Sequence, residues 1–134
     1  MSEEEYLSIF QFLGGRKGVR RLVDRFYDLM LTLPEAKDIL VMHPEDLASS
    51  RDKFELFLCG WFGGPQLYMQ KYGHPRLRAR HLPFAIDSKA RDAWMLCMRQ
   101  SLQEQITDDD VRQQIEAVFA RMANHMRNIE DPPD

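Results

Sequence analysis

Cysteine is scarce in this chain. Only two cysteines occur among 134 residues, Cys59 and Cys97, and they form no CxxC pair. A disulfide scaffold uses several cysteines, and structural zinc sites use close pairs of cysteine or histidine. Both cysteines lie in apolar segments with helical spacing, so they are predicted to be buried, reduced thiols of an intracellular protein.

The chain also lacks a basic excess and a long apolar run. Its formal net charge is −3, whereas nucleic-acid-binding domains are usually basic. Residues 3–5 are acidic where a signal peptide would be basic, and no apolar segment is long enough to cross a bilayer. These features predict a cytoplasmic protein that binds neither nucleic acid nor a membrane.

Internal repeats and linker-like segments are missing as well. A length of 134 residues fits one domain, so a single domain is predicted over 1–134. The end of the chain, about 130–134, is rich in proline and acidic residues and has nothing to bury. It is predicted to be disordered.

No segment shows the alternation of apolar and polar residues that is typical of β-hairpins. Apolar residues follow helical spacing instead, as in Val19, Val23, Phe26 and Met30, and the chain is therefore predicted to be all-α. A first helix is predicted over about 16–31, and a second, which carries Phe54 to Trp61, is predicted to stop at Gly63-Gly64-Pro65. A short helix from Pro65 to Tyr72 is predicted to end at Gly73 in a left-handed conformation. Two long helices are predicted to follow, one from Asp87 or Ser88 through Leu102 and one from a capping box at Thr107 through Met122.

One basic segment carries a candidate metal ligand. His81 ends the stretch that begins at Tyr72 and contains Arg76, Arg78 and Arg80, and a proline and an aromatic residue follow it. An imidazole at a fixed angle with cations nearby is what an axial ligand of an iron porphyrin requires. A histidine that only caps a helix C-terminus is the alternative at this point.

Large apolar side chains are abundant, with eight Phe, eight Met, four Tyr and two Trp. Stripes of Met and aromatic residues at helical spacing usually form an ordinary bundle core. The same stripes can also face a large flat ligand, and composition alone favours the ordinary core.

Five short motifs occur in order along the chain: Phe26-Tyr27, His43-Pro44-Glu45-Asp46-Leu47, Phe62-Gly63-Gly64-Pro65, Tyr72 to His81, and Arg91-Asp92-Ala93-Trp94. Together they resemble the group II truncated haemoglobins, and the match runs from about Gly14 to Arg127. The resemblance implies a truncated globin, a two-over-two helical sandwich around haem b. It also implies that His81 is the proximal ligand of the iron, with its other ring nitrogen donating to a carbonyl one turn earlier.

The resemblance further implies which residues line the distal side, where the gaseous ligand binds. Tyr27, Trp94, His43 and Ser50 match positions that offer hydrogen bonds there, and Phe54 closes that side with apolar bulk. Each has a simpler reading as a buried aromatic, a loop histidine or a surface serine.

Arginine and lysine are expected at the mouth of the pocket, where the haem carboxylates lie. Arg80 and Lys53 are the candidates, while Arg76 and Arg78 are interpreted as a solvated face and Tyr68 and His74 as further neighbours. Apolar contacts to the haem ring are expected from Phe57, Leu58, Trp61, Leu77, Phe84, Ile86, Met98 and Phe119.

The expected function is reversible binding of O2, and of CO and NO, at ferrous iron. Distal donors, each contributing about 1.5–3 kcal/mol, would slow release and make the protein a poor simple carrier in oxygen transport. The alternative is a peroxidase-like or NO-oxidising enzyme that uses an external reductase. A third reading is a helical interaction module or metal sensor without haem. The chain is expected to be a monomer or a homodimer.

Overall fold

Helices provide all the regular secondary structure within residues 8–133, the part of the chain that this computed structural model describes. The α-helices are, in order, α1 (Ile9–Phe12), α2 (Gly15–Thr32), α3 (Lys37–Leu40), α4 (Ala48–Trp61), α5 (Leu67–Tyr72), α6 (Leu77–His81), α7 (Ser88–Gln105) and α8 (Asp109–His125). A 3₁₀ helix, Pro34–Ala36, precedes α3. The predicted all-α class is confirmed.

Side-chain caps fix where the two long C-terminal helices begin. Asp87 accepts a hydrogen bond from the Ala90 backbone N–H at 2.9 Å and starts α7, as predicted. Asp108 accepts from the Val111 N–H at 3.1 Å and starts α8. The predicted capping box at Thr107 is therefore wrong by one residue, because a carboxylate at the positive end of a helix is the better acceptor.

The helix after the glycine break also begins later than predicted. Pro65 precedes α5 by two residues, because Gln66 has a ψ of 60°, outside the helical region. The Gln66 side chain instead donates to the Gly60 carbonyl at 3.1 Å and holds the connection against the end of α4. Gly73 ends α5 with a φ of 80°, in the left-handed region expected of it.

The chain forms two compact units. The first comprises residues up to Arg25 together with Asp46–Pro75, and in it α4 packs against α5. The second comprises Phe26–Glu45 and the chain from Arg76 onward, and in it α7 packs against α8, α3 and the 3₁₀ helix. The prediction of one domain over the whole chain stays a prediction.

Two further predictions concern disorder at residues 130–134 and the absence of a membrane-spanning segment. Residues 130–133 form no helix, and Asp131 accepts hydrogen bonds from the Ser88 backbone N–H at 2.8 Å and from its hydroxyl at 2.9 Å. Asp134 and the acidic residues 3–5 lie outside the described residues. Within the described part, no helix combines the length and hydropathy that crossing a bilayer requires.

Candidate functional site

His81 is the last residue of α6 and is half-buried. Its Nδ1 lies 2.6 Å from the Leu77 carbonyl oxygen, one turn earlier, which is the hydrogen bond that the sequence predicts. Because a carbonyl can only accept, Nδ1 carries the proton and donates. The neutral imidazole then keeps its lone pair on Nε2, the form in which histidine coordinates a metal.

The surroundings of His81 suit an amphiphilic iron porphyrin. Arg80, the preceding residue of α6, is exposed and carries a positive charge. Leu82 and Phe84 follow, and they are 57% and 40% exposed although both are apolar. A nitrogen donor, a cation and uncovered apolar surface together match the iron, the carboxylates and the ring of haem.

The segment begins in a strained conformation. Arg76, directly before α6, has φ 47° and ψ 54°, the left-handed region, and it is the sole non-glycine residue with positive φ in residues 8–133. Such a conformation costs about 1–3 kcal/mol and is found preferentially near functional sites.

An aromatic cluster in the second unit brings together three of the predicted distal residues. Tyr27 is 6% exposed, and its ring meets Phe26 edge-on at 5.0 Å and His43 edge-on at 5.8 Å. The Trp94 ring lies 5.1 Å from Phe26 and 5.7 Å from Phe119. Two hydrogen-bond donors, a phenol and an indole, thus belong to rings that both contact one buried phenylalanine.

His43 lies in the loop after α3 and is half-buried. Its Nδ1 donates to the Ile39 carbonyl at 2.9 Å, so the neutral ring keeps Nε2 as a proton acceptor. Burial lowers the pKa of His43, the Ile39 hydrogen bond partly offsets this, and the electrostatic interaction with His81 adds the smallest effect, a further lowering. The neutral form therefore dominates near pH 7.

The remaining predicted residues of the second unit lie along α6, α7 and the connection between α6 and α7. Leu77 supplies the carbonyl that orients His81. Ile86 and Met98 are buried, at 9% and 0% exposure, and Met98 lies on α7 four residues after Trp94.

Six other predicted residues, Ser50, Lys53, Phe54, Phe57, Leu58 and Trp61, lie on α4 in the first unit. Ser50 and Phe54 are half-buried and Leu58 is fully buried. Phe57 stacks on Trp61 with ring centroids 6.2 Å apart. Lys53 is exposed, with its ammonium 5.6 Å from the centre of the Tyr72 ring in the same unit. Their roles towards haem stay predictions.

Two features near His81 were not anticipated from the sequence. Arg78 is exposed, as expected of a solvated face, but its guanidinium also donates to the carbonyls of His125 and, at 2.9 Å, Arg127. Asn128 donates to the carbonyls of His81 at 3.0 Å and Phe84 at 2.8 Å. Both contacts use backbone acceptors distant in the sequence, which no local motif marks.

A metal site made of side chains alone finds no support in the part of the chain described. Within residues 8–133 no three His, Cys, Asp or Glu side chains cluster as metal ligands. Both cysteines are free and buried, as predicted, and burial raises the pKa of the Cys97 thiol to about 11.

Comparison with known proteins gives consistent similarities over nearly the whole chain. The family model for bacterial-like globins matches residues 8–128. The group 2 truncated haemoglobin YjbI of Bacillus subtilis is 37% identical over 123 residues, which is 90% of this chain and 89% of that protein.

Solved structures give the same result. The group II 2-on-2 haemoglobin from Agrobacterium tumefaciens superposes with a TM-score of 0.88 and 42% identity, over 93% of this chain and 96% of that chain. The truncated oxygen-avid haemoglobin from Bacillus subtilis superposes with a TM-score of 0.81 and 34% identity, over 91% of this chain and all of that one. The helical fold is that of the 2-on-2 truncated haemoglobins.

Proposed function

Because this chain belongs to the bacterial-like globin family and, within it, to the group II truncated haemoglobins, we propose that it carries haem b on His81 and binds O2 reversibly. The family implies haem and a small diatomic ligand. The choice of O2 is supported by the similarity to an oxygen-avid relative and by the donors near Phe26.

The hydrogen bond between His81 Nδ1 and the Leu77 carbonyl is the observation that carries this proposal. It holds the ring at one rotation and leaves Nε2 as the electron-pair donor. The haem iron, when bound, supplies reversible coordination of O2, CO and NO, which amino-acid side chains alone cannot provide. Arg80 is the proposed partner of a haem carboxylate, with Lys53 as the second.

Tyr27 and Trp94 are the proposed distal donors. The Trp94 indole can only donate, and a buried phenol such as that of Tyr27 donates readily to a partly negative acceptor. Each such bond contributes about 1.5–3 kcal/mol, equivalent to roughly ten- to hundredfold in an equilibrium constant. Slow release of O2 is the expected result, and transport by simple carriage would then be inefficient.

Spectra and stopped-flow kinetics test the proposal directly. The haemin-loaded protein should show a Soret band that shifts on reduction and again with CO, and His81→Ala should lose the normal axial coordination. Trp94→Phe and Tyr27→Phe should each speed O2 dissociation by roughly tenfold or more. Tyr72→Phe, which removes the same hydroxyl from an exposed residue of α5, is the matched control. Unchanged rates in both distal variants would refute the hydrogen-bond account.

A peroxidase-like or NO-oxidising activity is the second candidate, and His43 is the observation that favours it. A neutral imidazole with Nε2 as acceptor, adjacent to the Tyr27 ring, can take up and return a proton during turnover. Electrons would come from an external reductase. His43→Phe should lower peroxide turnover, and the absence of turnover in both the wild type and the variant would exclude this candidate.

We further propose a cytoplasmic location, which the two free and buried thiols support. The partners expected are O2 and small diatomic ligands, an external reductase and, for a homodimer, a second copy of the chain. Analytical ultracentrifugation of the haem-loaded protein would distinguish the monomer from the homodimer.

A further inference from the structure

The side chain of Asn128 binds the backbone on both sides of the turn that follows His81. Its Nδ2 donates to the carbonyls of His81 at 3.0 Å and Phe84 at 2.8 Å. Its Oδ1 accepts from the Ile86 N–H at 2.9 Å, and its own backbone N–H donates to the Ile86 carbonyl at 2.9 Å. The orientation of the Asn128 amide is unambiguous. A flipped amide would place its NH₂ group against the Ile86 N–H and its oxygen against the carbonyls of His81 and Phe84.

The segment that Asn128 holds has few hydrogen bonds of its own. Residues 82–87 contain no helix, and Pro83 has no backbone N–H to donate. Within the turn the Phe84 N–H donates to the His81 carbonyl at 3.0 Å, and the Asn128 amide adds bonds to three backbone groups, those of His81, Phe84 and Ile86. The position of the turn therefore depends on Asn128.

His81 is consequently held at two places. The Leu77 carbonyl fixes the rotation of the ring through Nδ1, and Asn128 fixes the backbone of the same residue through its carbonyl. A ring nitrogen that must point at a metal depends on both, since moving the backbone moves the ring.

Neighbouring contacts tie the same two segments together. Arg78, on α6, donates to the carbonyls of His125 and Arg127, so it also satisfies the end of α8. Arg127 donates to the Ser88 hydroxyl at 2.8 Å, at the start of α7. The residues after α8 thus bind the chain before, at and after His81.

We propose that Asn128 is the positioning residue of the proximal histidine, setting the direction of the His81 imidazole and holding it against displacement. This inference rests on the proposed function, in which His81 ligates haem iron. It predicts that the strength of the iron–histidine bond and the retention of haem both depend on the two N–H groups of Asn128.

Asn128→Asp tests the donors with little change of shape. The carboxylate can still accept from the Ile86 N–H but meets the carbonyls of His81 and Phe84 with oxygen instead of N–H. The measurements are the iron–histidine stretching band by resonance Raman on the ferrous protein and the rate of haem transfer to an acceptor apoprotein. We expect a shifted band and haem loss faster by roughly tenfold.

Asn124→Asp, four residues earlier near the end of α8, is the matched control. Asn124 is exposed, and its Oδ1 accepts from Arg91 at 2.7 Å, an interaction that aspartate preserves. This variant should keep the wild-type band and the wild-type rate of haem loss. Protection of the Ile86 amide from hydrogen exchange should persist in Asn128→Asp, which separates loss of the donors from unfolding of the turn.

The outcomes test the role of Asn128 separately from the proposed haem-binding function. If Asn128→Asp keeps the wild-type Raman band and haem-loss rate while His81→Ala loses normal coordination, the role of Asn128 is refuted and the haem function stands. If the wild type and His81→Ala give the same haem spectra, the proximal assignment is refuted and the role of Asn128 with it.

Discussion

At the scale of single residues, His43 shows how burial sets a charge. Its pKa is lowered from an ordinary value of 6.5, mainly by burial; the Ile39 hydrogen bond opposes the shift, and the electrostatic interaction with His81 lowers the pKa slightly more. In the unfolded chain none of these influences acts. The folded and unfolded chains therefore bind a proton at His43 at different pH values, which links folding stability to pH.

Stability should fall as the pH drops below about 6.5, because the unfolded chain then binds a proton at His43 that the folded chain resists. The loss continues until the pH passes through the lowered folded pKa, below which it is complete. The free energy of unfolding in urea, measured at pH 7.5 and 5.5, should therefore be smaller at the lower pH, and His43→Phe should show a smaller decrease.

His125→Gln is the control for this experiment. His125 is exposed at the end of α8 and its replacement should leave the wild-type dependence on pH. A His43→Phe variant with the full wild-type decrease between the two pH values would contradict the account.

Some of these features can be predicted from the sequence and others cannot. The buried cysteines and the bond from His81 to the carbonyl one turn earlier are predictable, because burial and helical neighbours follow from local spacing. Asn128 is not predictable in this way. Its partners are backbone atoms 42 to 47 residues away, and any residue type supplies a backbone carbonyl.

At the scale of helices, a network of charges joins α2 to α4 within the first unit. Glu55 is 7% exposed, and its carboxylate oxygens form salt bridges with the guanidinium nitrogens of Arg16 at 2.7 Å and Arg20 at 3.4 Å. Arg20 also reaches Asp52 at 2.7 Å, and these carboxylates raise the pKa of its guanidinium above the ordinary value. The carboxylate of Glu55 is the buried centre of this network.

Glu55→Gln should destabilise the protein by about 1–3 kcal/mol, because it removes a buried charge from two arginines that are themselves partly exposed. The matched change Asp52→Asn should cost less than about 1 kcal/mol, since the Asp52 side chain is 67% exposed. Urea unfolding measures both. Equal decreases in the free energy of unfolding in the two variants would show that the burial of Glu55 does not strengthen its contribution to stability.

The short helix α1 explains part of the glycine break after α4. Ser8 and Gln11 cap α1 reciprocally, each side chain accepting from the other's backbone N–H at 3.1 Å. The Phe10 N–H donates to the Phe62 carbonyl at 3.0 Å. A β-carbon on Gly64 would lie 2.5 Å from the Phe10 ring, which is closer than two carbon atoms can pack.

Gly64→Ala should therefore displace the Phe10 ring and cost about 1–3 kcal/mol in the wild-type background. In a Phe10→Ala background the same change should cost much less, because the obstructing ring is gone. A double-mutant cycle by urea unfolding gives the coupling energy between the two positions. A coupling near zero would show that the Phe10 ring does not limit the side chain at position 64.

Helix prediction from this sequence succeeds where the apolar pattern is long. The helix predicted over 16–31 is α2, Gly15–Thr32, with a shift of one residue at each end. The four-residue helices α1 and α3 are too short to show a period of 3.6 residues, and only the capping-box spacing of Ser8 and Gln11 marks α1 in the sequence.

At the scale of the whole molecule, identity came from the order of several weak motifs. No single motif specifies a haem protein, yet together they predict the family that the comparisons show. The same motifs predict which residues face the haem, and these contacts stay predictions.

Haem binding should stabilise the folded chain as a whole, because the folded state binds haemin and the unfolded state does not hold the site together. At free haemin a thousandfold above Kd the gain is about 4 kcal/mol, and the Tm should keep rising with haemin concentration. The uncovered side chains of Leu82 and Phe84 give a physical reason, since covering them removes apolar surface from water. His81→Ala should lose most of the gain, whereas His125→Ala should keep it. A Tm that does not change with haemin in the wild-type chain would contradict the coupling of haem to folding.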